Sequence, residues 1–95
     1  MFRVGNRVVV VSTEELRKVM QGGTAEEHIN YPAVVPYMLR CGGGAATVTG
    51  IDDYTSMGNA YTAYYLDFDN KEYASHYKWG ANIVLSLDGS EEYGL

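Results

Sequence analysis

The chain has 95 residues, 46% hydrophobic and 20% charged, a balance that fits one folded domain with one modest core and excludes a disordered chain. Its formal net charge is −5, and no apolar run approaches the ~20 residues of a membrane-spanning helix. Residues 1–40 carry five Lys/Arg against four Glu, whereas residues 41–95 carry two against eight Asp/Glu. That distribution is the reverse of the basic stripe that releases phosphate counterions, so no direct nucleic-acid partner is expected. Val8–Val11 is too short for the apolar region of a signal peptide, and the single cysteine, Cys41, has no internal disulfide partner. A cytoplasmic setting without membrane attachment is the expectation.

In chain order, Phe2, Val4 and a turn at Gly5-Asn6 lead into a first strand, Arg7–Val11. Ser12-Thr-Glu-Glu15 fits a helix capping box, and Leu16, Val19 and Met20 then form one apolar stripe at i, i+3, i+4. Glu14 and Lys18 have the spacing of an exposed pair, and Gly22-Gly23 ends the helix. Thr24-Ala-Glu-Glu27 is a second possible capping box, but Tyr31-Pro32 and Val35-Pro36 interrupt any long helix. A short helical turn is predicted at Pro36–Arg40, with Pro36 at its first position, followed by the flexible run Gly42–Gly44.

The rest reads as a β-meander. β-branched and aromatic residues fill the runs 45–51, 61–68, 72–79 and 83–87, and Gly, Asn, Asp and Ser separate them. Gly50 suggests a bulge that bends the second strand. Alternation places Tyr64, Leu66 and Phe68 on one face of the third strand, with Tyr65 and Asp67 on the other. A two-residue turn at Asp69-Asn70 would set Leu66 opposite Tyr73 and Asp67 opposite Glu72, the second pair being a repulsion between carboxylates. Residues 88–95 read as an acidic tail following a single domain, 1–87.

Phe2-Arg-Val-Gly-Asn-Arg-Val, Gly44-Ala-Ala-Thr-Val-Thr-Gly-Ile, Tyr64-Tyr-Leu-Asp-Phe-Asp-Asn and Tyr77-Lys-Trp-Gly-Ala-Asn are similar, in order and spacing, to the strand signatures of SH3-like small barrels. The sub-pattern resembles the Mind bomb SH3-repeat type, also found in short bacterial and phage proteins. The resemblance covers about two-thirds of the chain. It implies a mainly β, SH3-like small barrel of about five strands that binds a partner without catalysis. Residues 13–44 would be a helix-containing insertion between strands 1 and 2, longer than the usual loop there, and Tyr73–Trp79 exceeds the usual fourth strand.

Chemistry is sparse. One Cys and two separated His lack the spacing of a zinc site. Asp67-x-Asp69-Asn70 resembles the start of a calcium loop but has no Gly at the sixth position, and Lys78 stands at the twelfth. Cys41 beside three glycines, with His28 or His76 as base, is the one nucleophilic arrangement to weigh, and nothing local orients either histidine. A small buried hydrophobe is the plainer reading of Cys41. No enzyme activity, metal or cofactor is expected.

Twelve aromatic residues exceed what so small a core can hide. The candidate partner-binding residues are therefore Tyr54, Tyr65, Asp67, Asp69, Glu72 and Trp79, with Trp79 divided between core and ligand contact. The expected partner is a protein or peptide that meets exposed tyrosines and an acidic hairpin. The alternative uses Asp52, Asp53, Asp67, Asp69 and Glu72 as a mimic of a phosphate line that blocks a nucleic-acid enzyme. Short acidic, tyrosine-rich chains of this kind resemble phage-encoded inhibitors such as anti-CRISPRs.

Overall fold

A computed structural model describes residues 2–22, 34–56 and 58–87. The possible capping box at 24–27, Tyr31-Pro32, His28 and the acidic tail lie outside the described residues. The elements are β1 (Arg7–Val10), α1 (Thr13–Gly22), a 3-10 helix (Pro36–Cys41), β2 (Ala45–Ser56), β3 (Asn59–Phe68), β4 (Lys78–Gly80), a second 3-10 helix (Ala81–Ile83) and β5 (Val84–Ser86).

The five strands form one antiparallel sheet in the order β4-β3-β2-β1-β5. The sheet is open, because its edge strands β4 and β5 do not pair. They are nevertheless joined by only Ala81–Ile83. Four inter-strand steps of a flat sheet would span ~19 Å. A three-residue 3-10 connection covers only ~8 Å, so the sheet must curl strongly. The bend has a visible cause: pairing of β2 with β3 slips one residue between Val48 and Gly50, the expected bulge. Before the bulge β2 pairs with β1; beyond it β4 still covers β3 as far as Ala63, and from the Asp53–Thr62 rung to the Ser56–Asn59 rung β2 and β3 continue as a two-stranded arm.

The inside of the curl holds the core. Val8, Val10, Ala46, Val48, Tyr64, Leu66, Phe68, Trp79, Ile83 and Val84 are buried, joined by Leu16 of α1 and by Met38 and Cys41 of the first 3-10 helix. Phe68 packs edge-on against Trp79 and Tyr73, each at 5.5 Å between ring centres, and such pairs add to the ~1.5–3 kcal/mol of burying each large side chain. Phe2 closes one end: its amide donates to the Tyr64 hydroxyl at 3.1 Å and its ring meets Tyr64 edge-on. The inward parity of Tyr64, Leu66 and Phe68 is as the alternation predicts.

The helix starts as the capping residues require, with Glu15 N donating to Ser12 Oγ at 3.2 Å and Leu16 N to Ser12 O at 2.9 Å. Lys18 reaches Glu15 at 3.3 Å, three residues back, instead of Glu14. The first 3-10 helix carries Pro36 at its start and Gly42 at its C-cap. Thr13 Oγ1 donates to Leu39 O at 2.9 Å, which ties α1 to that helix.

Two expectations fail. β2 and β3 run further than the sequence runs 45–51 and 61–68, because Asp52, Asp53 and Asn59 join a ladder that sheet pairing supports and intrinsic propensity does not. The two-residue turn at Asp69-Asn70 is absent. Asn70 captures the chain instead, its Oδ1 accepting from Glu72 N and its carbonyl from Tyr73 N, both at 3.0 Å. Residues 69–77 are therefore a loop, and β4 begins only at Lys78, opposite Tyr65. Asp67 faces Thr47, not Glu72.

Candidate functional site: the outer face of the sheet

Tyr65 stands on the outward side of β3, in a cross-strand row with Gly50 of β2 and Lys78 of β4. A methyl group at Gly50 would stand 3.1 Å from Tyr65 Cδ2, so the ring lies over the glycine, using the space its missing side chain leaves. The phenol ring remains half-buried.

Three ion pairs lie on the same face. Lys78 Nζ donates to Asp52 Oδ2 at 2.6 Å, reaching from β4 across β3 to β2. Two residues along β3 on the same face, Asp67 takes Lys71 Nζ at 2.9 and 3.1 Å. Beyond it, Arg7 of β1 grips Asp69 with both ends of its guanidinium, at 2.8 and 2.5 Å, and also donates to Thr47 Oγ1 at 2.9 Å. The bidentate hydrogen bond to Arg7 holds the Asp69 carboxyl below its ordinary range and raises the Arg7 guanidinium in turn. The result is one half-buried aromatic ring on a face that also carries three mutually satisfied ion pairs.

The sequence-predicted residues separate accordingly. Tyr65, Asp67 and Asp69 come together on this face. Glu72 sits in the 69–77 loop, where its carbonyl accepts from the Tyr37 hydroxyl at 3.3 Å. Tyr54 pairs with Tyr61 on the arm, two rungs past Asp52–Ala63. Trp79 is removed from the surface set: it is fully buried, with no hydrogen-bond partner for its indole Nε1 among the described residues.

The sequence reading passed over a second aromatic feature. Tyr37 of the first 3-10 helix stacks on Tyr77 at 5.3 Å, His76 lies 4.2 Å from Tyr77 on the loop, and the Arg40 guanidinium caps Tyr37 at 4.8 Å. The Tyr37 hydroxyl also accepts from Ala74 N at 3.0 Å, so this stack pins the 69–77 loop. The spacing Tyr37-x-x-Arg40 was the available signal, since i and i+3 eclipse on a 3-10 helix.

Cys41 is fully buried, and burial pushes its thiol up, away from the nucleophilic thiolate. His76 is engaged with Tyr77 and exposed. No group of three His, Cys, Asp or Glu side chains suited to a metal occurs among the described residues, and no described helix is long and apolar enough to cross a membrane. No protein-family model matches the chain, and no curated protein or solved structure shows significant similarity to it.

Proposed function

We propose that this chain is a non-catalytic binding protein, built on a curled SH3-like small barrel, that docks a protein or peptide partner on the outer face of β2, β3 and β4. The observation that carries the reading is Tyr65: a half-buried ring braced over Gly50 on a face that also holds the Asp52–Lys78, Asp67–Lys71 and Arg7–Asp69 pairs. A large ring already fixed in place offers contact area at small entropic cost. The strand order, with β1 between β2 and β5, and the short β4–β5 connection support the small-barrel assignment.

The inhibitory alternative, a phosphate mimic of mobile-element origin, draws on the −6 balance of residues 41–95. Its support is reduced by the ion pairs, which neutralise Asp52, Asp67 and Asp69 within the chain, and by the loss of the Asp67–Glu72 repulsion that made the hairpin look like a charge device.

The test is partner capture from cell lysate with the full chain and with Tyr65→Ala. Loss of a partner through Tyr65→Ala by about thirtyfold or more in affinity supports docking on this ring. A partner retained equally by Tyr65→Ala overturns it. Capture of a basic nuclease that weakens steeply with salt, and is abolished when Asp67, Asp69 and Glu72 become Asn, Asn and Gln, selects the inhibitory reading.

A further inference from the structure

Among the described residues, one long edge of β2 is left open beyond the bulge. β1 covers β2 only over Ala45–Thr47, and the last bonds on that side are Val48 N to Asn6 O and Gly5 N to Val48 O. From Thr49 to Ser56, β3 is the only strand beside β2 among the described residues. On every second residue of this ~26 Å stretch the amide and carbonyl point away from β3, towards the open side.

Two of the exposed large hydrophobic residues border the start of this edge. Ile51 is 37% exposed, and Val4 is 63% exposed on the turn that joins Phe2, bonded to Tyr64, to Gly5, bonded to Val48. Asp53 follows two residues along. Its Oδ1 takes a 2.7 Å bond from Thr62 Oγ1, and it has no cation among the described residues, unlike Asp52, which holds Lys78.

We propose that this edge accepts an extended segment of a partner protein as an added β-strand, and that the segment is basic and β-branched, with a Lys or Arg placed against Asp53. Backbone bonds to the edge supply the attachment, and the apolar positions of the added strand meet Ile51 and Val4. The charge sets the choice of occupant. A second copy of the chain, pairing antiparallel over the same stretch, would bring Asp52 and Asp53 of both copies together, which like charges across a ladder disfavour. A strand with cations at those positions removes the repulsion and gains a pair. The inference goes beyond docking on Tyr65, since it uses the backbone edge of β2 and not the outer face.

The experiment titrates an acetylated and amidated octapeptide of two Val-Val-Lys-Lys repeats, which sets Val and Lys in turn along each face, into the isotopically labelled full chain, followed by amide shifts and hydrogen exchange. Slowed exchange along Thr49–Ser56, with shifts there and at Val4, is expected. The same peptide with every second amide N-methylated, or with Glu for Lys, should lose the effect. Asp53→Asn should weaken binding about two- to fivefold, the scale of one exposed ion pair, and Tyr65→Ala should leave it unchanged. Absence of any change at about millimolar peptide, a response centred on Tyr65, or equal binding of the N-methylated peptide overturns the proposal, as does self-association of the chain through this edge.

Discussion

The sharpest structural test lies at Gly42. A Cβ built there falls inside the contact radius of the Thr13 backbone nitrogen and Oγ1, so an alanine forces α1 away from the first 3-10 helix. Neither neighbour can turn aside, because one is backbone and the other is held by its 2.9 Å bond to Leu39 O. Overpacking at such a site costs ~1–3 kcal/mol, and loss of the Thr13–Leu39 bond adds ~0.5–1.5 kcal/mol. Gly42→Ala is thus expected to destabilise by about 2–4 kcal/mol, a large share of the ~5–15 kcal/mol of a typical domain. Its neighbour supplies the control. Gly43 has φ +77° with open space around its Cβ position, so Gly43→Ala meets only left-handed backbone strain of ~1–2 kcal/mol. Urea unfolding of the two variants reads both costs, with the Gly42→Ala midpoint lower by about 1–2 M. If Gly42→Ala unfolds within about 1 kcal/mol of the parent, or costs less than Gly43→Ala, α1 does not rest on the glycine run and the reasoning fails.

Tyr64→Phe removes the hydroxyl that accepts the buried Phe2 amide; a loss of about 1–3 kcal/mol in chemical denaturation is expected, and a neutral result would detach Phe2 from the core. Arg7 depresses the Asp69 carboxyl below its ordinary 3.8, so the pair's contribution is present above that value and fades as pH falls through the lower folded one. Unfolding of Arg7→Met against the parent should accordingly differ at pH 7 and converge in acid; a difference that persists after the carboxyl is protonated would refute the linkage. Cys41, buried and with its thiol shifted up, should resist a thiol reagent in the native chain and react on unfolding. Rapid native labelling, or catalysis lost in Cys41→Ser, would reopen the nucleophile reading.

What the sequence revealed divides along local and non-local lines. The Ser12 cap, the Leu16 stripe, the Pro36 turn and the Gly50 bulge are written within a few residues each, and all are present in the structure. The 69–77 loop was misread because Asp-Asn resembles a hairpin turn, while the Asn70 side chain and the Tyr37 hydroxyl, 33 positions earlier in the chain, draw the backbone elsewhere. The arm was missed for the opposite reason: Asp52 and Asp53 are poor strand residues, and only pairing with β3 holds them extended. At the site, parity placed Tyr65 and Asp67 outward, but their ionic partners come from residues as far away as 62 positions for Arg7–Asp69, which no spacing rule reaches.

These partners change what the acidic half of the chain means. A field strong enough to imitate phosphates needs carboxylates whose charges add, whereas Asp52, Asp67 and Asp69 each spend theirs on a cation at 2.5–2.9 Å. Exposed pairs of this kind contribute little to stability, so holding the fold together is a weak reason for three of them to share one face. Their geometry suits a different use. Paired charges keep the surface polar without building a long-range field, and an arriving partner can exchange ion pairs with them at small net cost. Asp53 is set apart, with a hydrogen bond to Thr62 and no cation among the described residues, on an arm whose edge no other described strand covers. Asp53 thus leaves negative charge beside the β2 edge, while Asp52, Asp67 and Asp69 on the face of Tyr65 are neutralised in pairs, and the two surfaces call for partners of different chemistry.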